Sequence, residues 1–399
     1  MATSYATRMS TTPSSFIREI LHVTEDPSII SFAGGLPHPD TFPVQAIADA
    51  ATHVLTTHGS EALQYRTTEG HRPLREFVAQ RYRTQYGLDV EAEQIIITSG
   101  SQQAQDLVGK VFLNPGDRVL IEQPSYLGAI QAFSLFEVKF IAVPLCDDGI
   151  DIEQVAAMLD REQVKIVYTV PTFQNPSGIC YSLQKRKALA SLLREAGVVL
   201  IEDDPYRELR FAGEQLPPVA KFLPEQTVLV GSFSKIFSPG MRLGWLCMPK
   251  PMVRHFTVAK QATDLHTNVF CQYLLAQYLQ TNDLEAHIAA IRARYKQQRD
   301  TMVSAIERYC PQQVTCTKPE GGMFLWMTLP EGVSSQELFA RAIREQVAFV
   351  PGIPFFTDGS GDRYLRLNFS NADPAMIDEG MRRLGRAIKL MLEETTVGE

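Results

Sequence analysis

The chain has 399 residues, of which 45% are hydrophobic and 21% charged, and its formal net charge is −7. This length and composition predict two domains in an ordinary globular enzyme, and the acidic balance argues against nucleic acid as a partner. No apolar run approaches the roughly 18 residues of a membrane span, and the first ten residues lack the apolar core of a signal peptide. The six cysteines form no Cys-x-x-Cys pair and show no zinc spacing to histidine, so we expect buried, reduced thiols in a cytoplasmic protein without a metal site.

The N-terminal stretch predicts an arm followed by an open loop. Residues 1–13 are expected to be flexible, and Ser14 or Ser15 can cap a short amphipathic helix over 16–23. Segment 33–43 contains two glycines and three prolines in eleven residues, a composition that precludes regular structure. Such a backbone can approach a ligand closely, although a plain domain-linking loop explains the composition equally well.

A helix is expected from Pro43 to about Thr57, because its apolar residues recur at helical spacing. Tyr65 then lies in a polar, glycine-bounded loop before a helix that begins near Pro73, a position where a tyrosine is more often structural than functional. The apolar stripe of the first helix, which we expect to face inward, consists of Val44, Ile47, Ala48, Ala51 and Leu55.

Short apolar runs alternate with helical segments in the middle of the chain, which indicates an α/β fold with a mostly parallel sheet covered on both faces. Gly100 and Ser101 form a tight turn between a strand and a helix, a geometry that offers free N–H groups to a phosphate. The predicted strands cover 95–97, 119–122, 139–144, 165–170, 198–202 and 227–231. One predicted helix begins at residue 102, and the others cover 127–136, 155–159 and 183–195.

The last part of the chain predicts a second, smaller α+β domain. Its expected elements are a long helix over 286–309, strands over 322–329, 347–350 and 364–370, and helices over 335–344 and 374–394. We therefore predict an N-terminal arm with part of the small domain at 1–45, a large domain at 46–290 and a C-terminal small domain at 291–399. Arg366 lies in a half-buried strand, which is costly unless the arginine meets an anion. An internal salt bridge is the alternative explanation.

Lys235 follows the apolar run that begins at Val228 and ends among serines. A lysine just past a buried strand loses its proton more easily and can form a Schiff base, and Ser232 and Arg242 could hold a phosphate beside it. A solvated loop lysine is the alternative. Ser232 to Lys235 also fits the S-x-x-K nucleophile motif, but the K-T-G triad that this reading requires is absent from the sequence.

Polar residues follow the carboxyl ends of the predicted strands. Because these ends share one edge of a parallel sheet, residues from distant parts of the sequence are expected to converge there on one site. The converging residues are Ser101, Tyr126, Asn175, Asp203, Tyr206, Ser232, Lys235 and Arg242.

This set of side chains suits pyridoxal 5'-phosphate (PLP). Lys235 would hold the aldehyde as an imine and move the proton, and Asp203 would pair with the pyridine nitrogen. Arg366 would bind the substrate α-carboxylate through a bidentate pair. Tyr126 is expected to stack on the ring face, and Asn175 and Tyr206 to contact the phenolic oxygen. The residues expected to bind the phosphate are Ser101, Gln102, Ser232 and Arg242.

The chain resembles the class I/II aminotransferases of PLP fold type I over nearly its whole length. The resemblance is carried by TSGSQQA at 98–104, PTFQNPSG at 171–178, EDDPY at 202–206, GSFSKIFSPGMRLGW at 231–245 and YLRLNFS at 364–370. The segments SFIREIL and SFAGGLPHPDTFP further resemble the 2-aminoadipate and kynurenine aminotransferase subgroup. The resemblance implies ping-pong transfer of an amino group from an L-amino acid to a 2-oxo acid, with 2-oxoglutarate as the expected acceptor.

The same resemblance assigns further residues. In that family the position of Tyr65 reaches the phosphate of the other subunit's cofactor, which implies a homodimer with shared active sites. Pro205 joins the cofactor contacts, and the bond before Pro176 is expected to be cis. The positions that match substrate-side residues of the subgroup are Ser15, Arg18 and Gly35, with Arg18 binding a distal carboxylate.

Two alternatives remain on this scaffold, because a fold does not fix a reaction. One is a PLP-dependent β-lyase, and the other is a non-catalytic PLP-binding effector domain of the kind that follows a winged helix in some transcriptional regulators. No residues precede the resemblance that could form such a DNA-binding module, so we expect a free-standing enzyme. Aromatic, branched-chain, aminoadipate and kynurenine donors all remain open, since no motif specifies the side-chain pocket.

Overall fold

The computed structural model describes residues 5–11 and 26–397. The helix predicted over 16–23, with Ser15 and Arg18, lies outside the described residues. Within the described ranges, no helix combines the length and the apolar character that crossing a bilayer would require.

The strands of the described chain fall into three sheets. In chain order they are β1 Ile30–Ser31, β2 Ile95–Thr98, β3 Arg118–Gln123, β4 Lys139–Cys146, β5 Gly149–Ile150, β6 Val164–Thr169, β7 Val199–Asp203, β8 Thr227–Ser232, β9 Gly244–Cys247, β10 Thr315–Cys316, β11 Phe324–Thr328, β12 Val347–Ala348, β13 Val350–Pro351 and β14 Tyr364–Asn368.

The α-helices alternate with these strands in the first part of the chain and cluster near its end. In chain order they are α1 Arg8–Thr11, α2 Val44–Ala62, α3 Arg72–Tyr86, α4 Ser101–Phe112, α5 Leu127–Ser134, α6 Ile152–Arg161, α7 Leu183–Ala196, α8 Lys250–Asp264, α9 Val269–Thr281, α10 Leu284–Tyr309, α11 Ser335–Arg344 and α12 Pro374–Val397.

The largest sheet of the described chain has eight strands in the order β2-β9-β8-β7-β6-β3-β4-β5. The ladders that join β4, β3, β6, β7 and β8 are parallel, whereas β9 runs antiparallel between β2 and β8. The predicted α/β fold with a mostly parallel sheet is therefore confirmed. Sequence analysis missed β9, which is only four residues long and follows two short 3-10 turns.

The register of the parallel strands places their carboxyl ends at one edge. Thr169 at the end of β6 pairs with Glu202, and Asp203 at the end of β7 pairs with Val230. Every residue of β8 is buried, as is every residue of β2, which explains why their apolar residues, at 228–230 and 95–97, are continuous rather than alternating. The loops after β6, β7 and β8 consequently start side by side.

A smaller antiparallel sheet contains β10, β11, β14 and β13 in that order. Arg366 on β14 pairs with Trp326 on one side and Val350 on the other, so the arginine lies in the interior of this sheet. The single strand predicted over 347–350 was wrong: Val347–Ala348 pairs with β1, and Val350–Pro351 pairs with β14. We keep the division into domains at residues 45 and 290 as a proposal.

Two predictions about burial were wrong in part. Of the stripe predicted for α2, Ile47 and Ala51 pack against the core, while Val44 is 69% exposed and Leu55 is 49% exposed in this single chain. The fully buried residues of this helix are Ala50, Val54 and Ala62. Helical spacing identified an apolar stripe there, but spacing does not reveal which face another element covers. The thiols are unpaired as expected, yet Cys247 is the buried one, Cys146 is exposed and the other four are intermediate.

Candidate active site

A cavity of about 270 Å³ lies at the carboxyl edge of the large sheet, where Phe324 and Arg366 of the small sheet close it. All eight residues that were predicted to converge line this cavity, so that convergence is confirmed. The full lining consists of Gly35, Ser101, Gln102, Tyr126, Val170, Asn175, Asp203, Pro205, Tyr206, Ser232, Ser234, Lys235, Pro239, Arg242, Phe324 and Arg366.

Lys235 sits in the short 3-10 turn that directly follows β8. The Ser232 hydroxyl accepts a hydrogen bond from the Ser234 amide at 3.1 Å and so closes this turn. The Lys235 side chain is partly buried, and its Nζ donates to the Gly35 carbonyl at 2.8 Å. Burial lowers the pKa of Lys235 to about 8, and the positive charges of Arg366 and Arg242 act in the same direction. An appreciable fraction of this amine is therefore unprotonated, and nucleophilic, near neutral pH.

Asp203 ends β7 and is only 2% exposed. Its Oδ2 accepts hydrogen bonds from the Tyr168 hydroxyl at 2.7 Å and from Gln105 Nε2 at 2.8 Å. Its Oδ1 is buried and has no partner among the described residues. Burial raises the pKa of Asp203 to about 7, although both donors oppose that shift. The free oxygen is an acceptor that lacks the donor a buried carboxylate normally has.

Three buried side chains form a hydrogen-bonded series along one wall. Arg366 Nη1 donates to Asn175 Oδ1 at 2.9 Å, and Asn175 Nδ2 donates to the Tyr206 hydroxyl at 3.2 Å. The peptide bond between Asn175 and Pro176 is cis, as predicted. Burial raises the pKa of the Tyr206 phenol well above its ordinary value. The phenol therefore stays protonated and can donate to an oxygen in the cavity.

Arg366 is 1% exposed, and no carboxylate of the described chain forms a salt bridge with it. Its Nη2 donates to the Ala33 carbonyl at 2.5 Å, and its Nε has no partner among the described residues. The guanidinium lies over the Phe324 ring, 4.4 Å from the centroid. Burial lowers the pKa of Arg366 to about 10, so it remains a cation near neutral pH. The alternative of an internal salt bridge is therefore wrong for the described residues.

The N-terminus of α4 and Arg242 form a cationic corner. Gly100 precedes the helix with φ of 80°, and a Cβ atom there would lie 2.4 Å from Arg242 Nη2. Glycine is thus required both for the turn and for the approach of the guanidinium. Arg242 donates to the Ser99 carbonyl at 3.2 Å, and Ser101 is the first helical residue. Free helical N–H groups beside a guanidinium favour an anion.

Tyr126 and Gly35 both line the cavity. A Cβ atom at Gly128 would lie 2.6 Å from the Tyr126 ring, so the glycine makes room for the hydroxyl end of this ring. A Cβ atom at Gly35 would lie 3.1 Å from the Phe324 ring, which leaves little room for a larger residue.

Not every candidate lies in the cavity. Tyr65 is 74% exposed, stands edge-on to His266 with ring centroids 5.7 Å apart, and does not line the cavity of its own chain. Sequence reasoning also missed Gln105 and Tyr168, which hold Asp203, and Phe324, which underlies Arg366. Gln105 is the one with a detectable signal, since a glutamine on the inner face of a helix requires a polar partner.

The sequence matches the family model of aminotransferase class I and II over residues 28–384. It is 43% identical over 379 residues to aromatic-amino-acid aminotransferase 1 of Thermococcus litoralis, a match that covers 94% of this chain and 91% of that protein. The fold is similar to the multiple substrate aminotransferase of Thermococcus profundus, with a TM-score of 0.93, 42% identity and 98% of each chain covered. It is also similar to the alpha-aminoadipate aminotransferase of Thermus thermophilus complexed with N-(5'-phosphopyridoxyl)-L-leucine, with a TM-score of 0.91, 42% identity and 98% of each chain covered.

Proposed function

The chain is an aminotransferase that belongs to the class I and II family, and we propose that it uses PLP to move the amino group of an L-amino acid to 2-oxoglutarate. One observation carries this proposal. The partly buried amine of Lys235 and the Asp203 carboxylate, whose Oδ1 has no partner among the described residues, line the same cavity as the cationic corner at α4. An amine, an acceptor and an anion site are what the aldehyde, the pyridinium and the phosphate of PLP require.

The donor set of the cavity fits this cofactor. Asp203 Oδ1 can accept from a protonated ring nitrogen, and that pairing would satisfy a buried oxygen that otherwise has no donor among the described residues. The helix N-terminus at Ser101 and the guanidinium of Arg242 can bind the phosphate, with Gln102 and Ser232 nearby. When bound, the cofactor supplies an aldehyde that condenses with amines and a pyridinium that withdraws electrons from the substrate's α-carbon.

The protein's own residues supply binding and proton transfer. Lys235 Nζ, with its lowered pKa, would take the proton from the substrate's α-carbon and deliver it to the C4' carbon of the bound cofactor. Arg366 can hold the α-carboxylate of each substrate in turn, as a ping-pong mechanism with one substrate site requires. Tyr206 and Asn175 can donate to the phenolic oxygen, Tyr126 can cover the ring, and Pro205 can limit its movement.

The side-chain specificity remains a proposal by resemblance. We expect Gly35, which lines the cavity, to face the substrate, and Ser15 and Arg18 to meet an acidic side chain. The named relatives act on aromatic, 2-aminoadipate and multiple substrates, so a broad donor range is the expectation for this chain as well. We also propose a homodimer in which Tyr65, exposed in the single chain, reaches the partner's phosphate site.

A panel of L-amino acids assayed with 2-oxoglutarate tests the proposal. We expect stoichiometric glutamate formation from at least one aromatic, branched-chain or aminoadipate donor. Release of pyruvate and ammonia would instead identify the β-lyase, and PLP binding without turnover of any donor would identify the effector domain.

The Lys235→Ala variant is expected to lose turnover, while Lys185→Ala should retain it. Lys185 is a matched control because it is also partly buried and also donates to a backbone carbonyl, that of Ile150 at 3.1 Å. Full turnover in Lys235→Ala would contradict the proton-transfer role.

A further inference from the structure

Glu122 on β3 is a buried carboxylate that does not line the cavity. It is 1% exposed, and no arginine, lysine or histidine of the described chain forms a salt bridge with it. Its Oε1 accepts from the Val170 amide at 2.9 Å and the Tyr181 hydroxyl at 2.6 Å, and its Oε2 accepts from Gln174 Nε2 at 3.0 Å. Three donors and no counter-ion indicate a group whose role is to accept hydrogen bonds.

Gln174 transmits this arrangement to the next turn of the chain. Its Nε2 also donates to the Pro124 carbonyl at 2.8 Å, and its Oε1 accepts from both the amide and the hydroxyl of Ser177, at 2.8 and 2.6 Å. Its backbone closes the same turn, because the Gln174 amide donates to Ile179 and its carbonyl accepts from Gly178. The side chain and the backbone of one residue thus hold residues 174–179.

Asn175 lies inside that turn, and its side chain joins Arg366 to Tyr206. We propose that Glu122, acting through Gln174, is a positioning residue that fixes Asn175 and through it the carboxylate-binding guanidinium of Arg366. This inference rests on the proposed function, which assigns Arg366 to the substrate carboxylate. The structural link from Glu122 through Gln174 to Asn175 can be tested without turnover.

All three hydrogen bonds run toward Glu122, so each of its two oxygens has to accept. A glutamine at position 122 would present an NH₂ group to one of its three donors. If the NH₂ group of the introduced glutamine faces Nε2 of Gln174, two donors meet. If the Gln174 side-chain amide instead rotates by about 180°, its own NH₂ group faces the backbone amide of Ser177, and again two donors meet. Either arrangement leaves buried donors unpaired, which is the costly case for a hydrogen bond.

Glu202 provides a matched control. It is 0% exposed and lies on β7, and its two oxygens accept from the amides of Val219 at 2.9 Å and Ala220 at 2.8 Å. Glu202→Gln therefore places an NH₂ group against a buried amide just as Glu122→Gln does, and it also removes the charge that faces Arg207 Nη2 at 3.5 Å. No side-chain hydrogen bond joins Glu202 to the segment 170–179 in the described chain, so its replacement leaves the support of Asn175 intact.

Hydrogen exchange followed by mass spectrometry tests the structural link on the intact protein. We expect the backbone amides of residues 171–180 to exchange at least about tenfold faster in Glu122→Gln than in wild type, and at the wild-type rate in Glu202→Gln. The double variant Glu122→Gln, Gln174→Glu returns an acceptor to the amides of Val170 and Ser177 and should restore part of the protection. Equal exchange in both single variants would overturn the inference.

Steady-state kinetics and binding of glutarate, an unreactive dicarboxylate, test the functional link on the holoenzyme. We expect Glu122→Gln to raise the glutarate dissociation constant and the KM of both substrates about tenfold, with a smaller change in kcat. Glu202→Gln should leave the glutarate dissociation constant and both KM values as in wild type. Unchanged glutarate affinity in Glu122→Gln would overturn the link, whereas wild type without turnover would contradict the proposed function and leave the exchange result standing.

Discussion

Arg366 donates a hydrogen bond of 2.9 Å to Asn175, and neither side chain is more than 4% exposed. The pair joins the small sheet to the loop after β6, so the guanidinium is held in a fixed orientation. Its Nε still lacks a partner in the described chain, which leaves an N–H group available to an incoming carboxylate.

Arg366→Lys is therefore expected to raise the KM of the amino donor and of 2-oxoglutarate about 100-fold, because lysine cannot form the bidentate pair. Steady-state kinetics with both substrates measures this effect. Arg363→Lys is the control, since Arg363 is exposed and donates to the Leu329 carbonyl. A similar KM in both variants would contradict the assignment of Arg366.

The lowered pKa of Lys235 predicts how the apoprotein captures its cofactor. Only the neutral amine attacks an aldehyde, and a pKa of about 8 makes the neutral fraction rise about fivefold between pH 7 and 8 and less than twofold between pH 8 and 9. Stopped-flow absorbance after mixing apoprotein with PLP measures the rate. A rate that keeps rising tenfold per pH unit up to pH 10 would show that the pKa of this lysine is not lowered.

The raised pKa of Asp203 makes the stability of the apoprotein depend on pH. The folded protein retains this proton up to about pH 7, whereas an unfolded aspartate loses it near pH 4, so the free energy of unfolding falls as the pH rises from about 4 to 7. We expect the melting temperature to fall by roughly 5 °C across this window.

Asp203→Asn should flatten that slope without removing it, because burial also raises the pKa of Glu122 to about 7. Bound PLP should flatten the slope in wild type, since a pyridinium stabilises the ionised carboxylate. Thermal unfolding of apoprotein and holoprotein between pH 4 and 8 measures both effects. An apoprotein whose stability rises over this range would contradict the account.

The exposure of Tyr65 outside its own cavity predicts complementation between inactive subunits. In a heterodimer of Lys235→Ala and Tyr65→Ala chains, one site receives the intact lysine of one chain and the intact tyrosine of the other. Mixing the two variants after mild dissociation is therefore expected to restore up to about one quarter of wild-type activity, by random pairing of subunits. Activity no higher than the sum of the separate variants would argue against a shared site.

Sequence reasoning predicted the α/β fold, the family and the convergence of eight polar residues, because buried parallel strands are continuous apolar runs and their carboxyl ends share an edge. It failed to identify which face of a helix is buried and which buried polar groups form hydrogen bonds with each other. The burial of α2 was misassigned since Val44 and Leu55 fit an apolar stripe whose covering element the pattern does not name.

The support of the site was equally invisible in the sequence. Tyr168 and Gln105 meet Asp203 from a neighbouring strand and a helix, and Glu122 meets Gln174 across 52 positions of sequence. Apolar periodicity specifies the core, but it does not state which buried polar groups will pair. Those pairs depend on the register of β3, β6 and β7 and on the positions of helix α4 and of the loop after β6.

The attachment of PLP to one lysine is the central claim, and borohydride reduction of the holoprotein followed by peptide mass spectrometry tests it most directly. We expect a phosphopyridoxyl group on the peptide that contains Lys235, and no such group on any peptide of the Lys235→Ala protein treated in the same way. A modified lysine elsewhere in the wild-type chain, with Lys235 unmodified, would contradict the account.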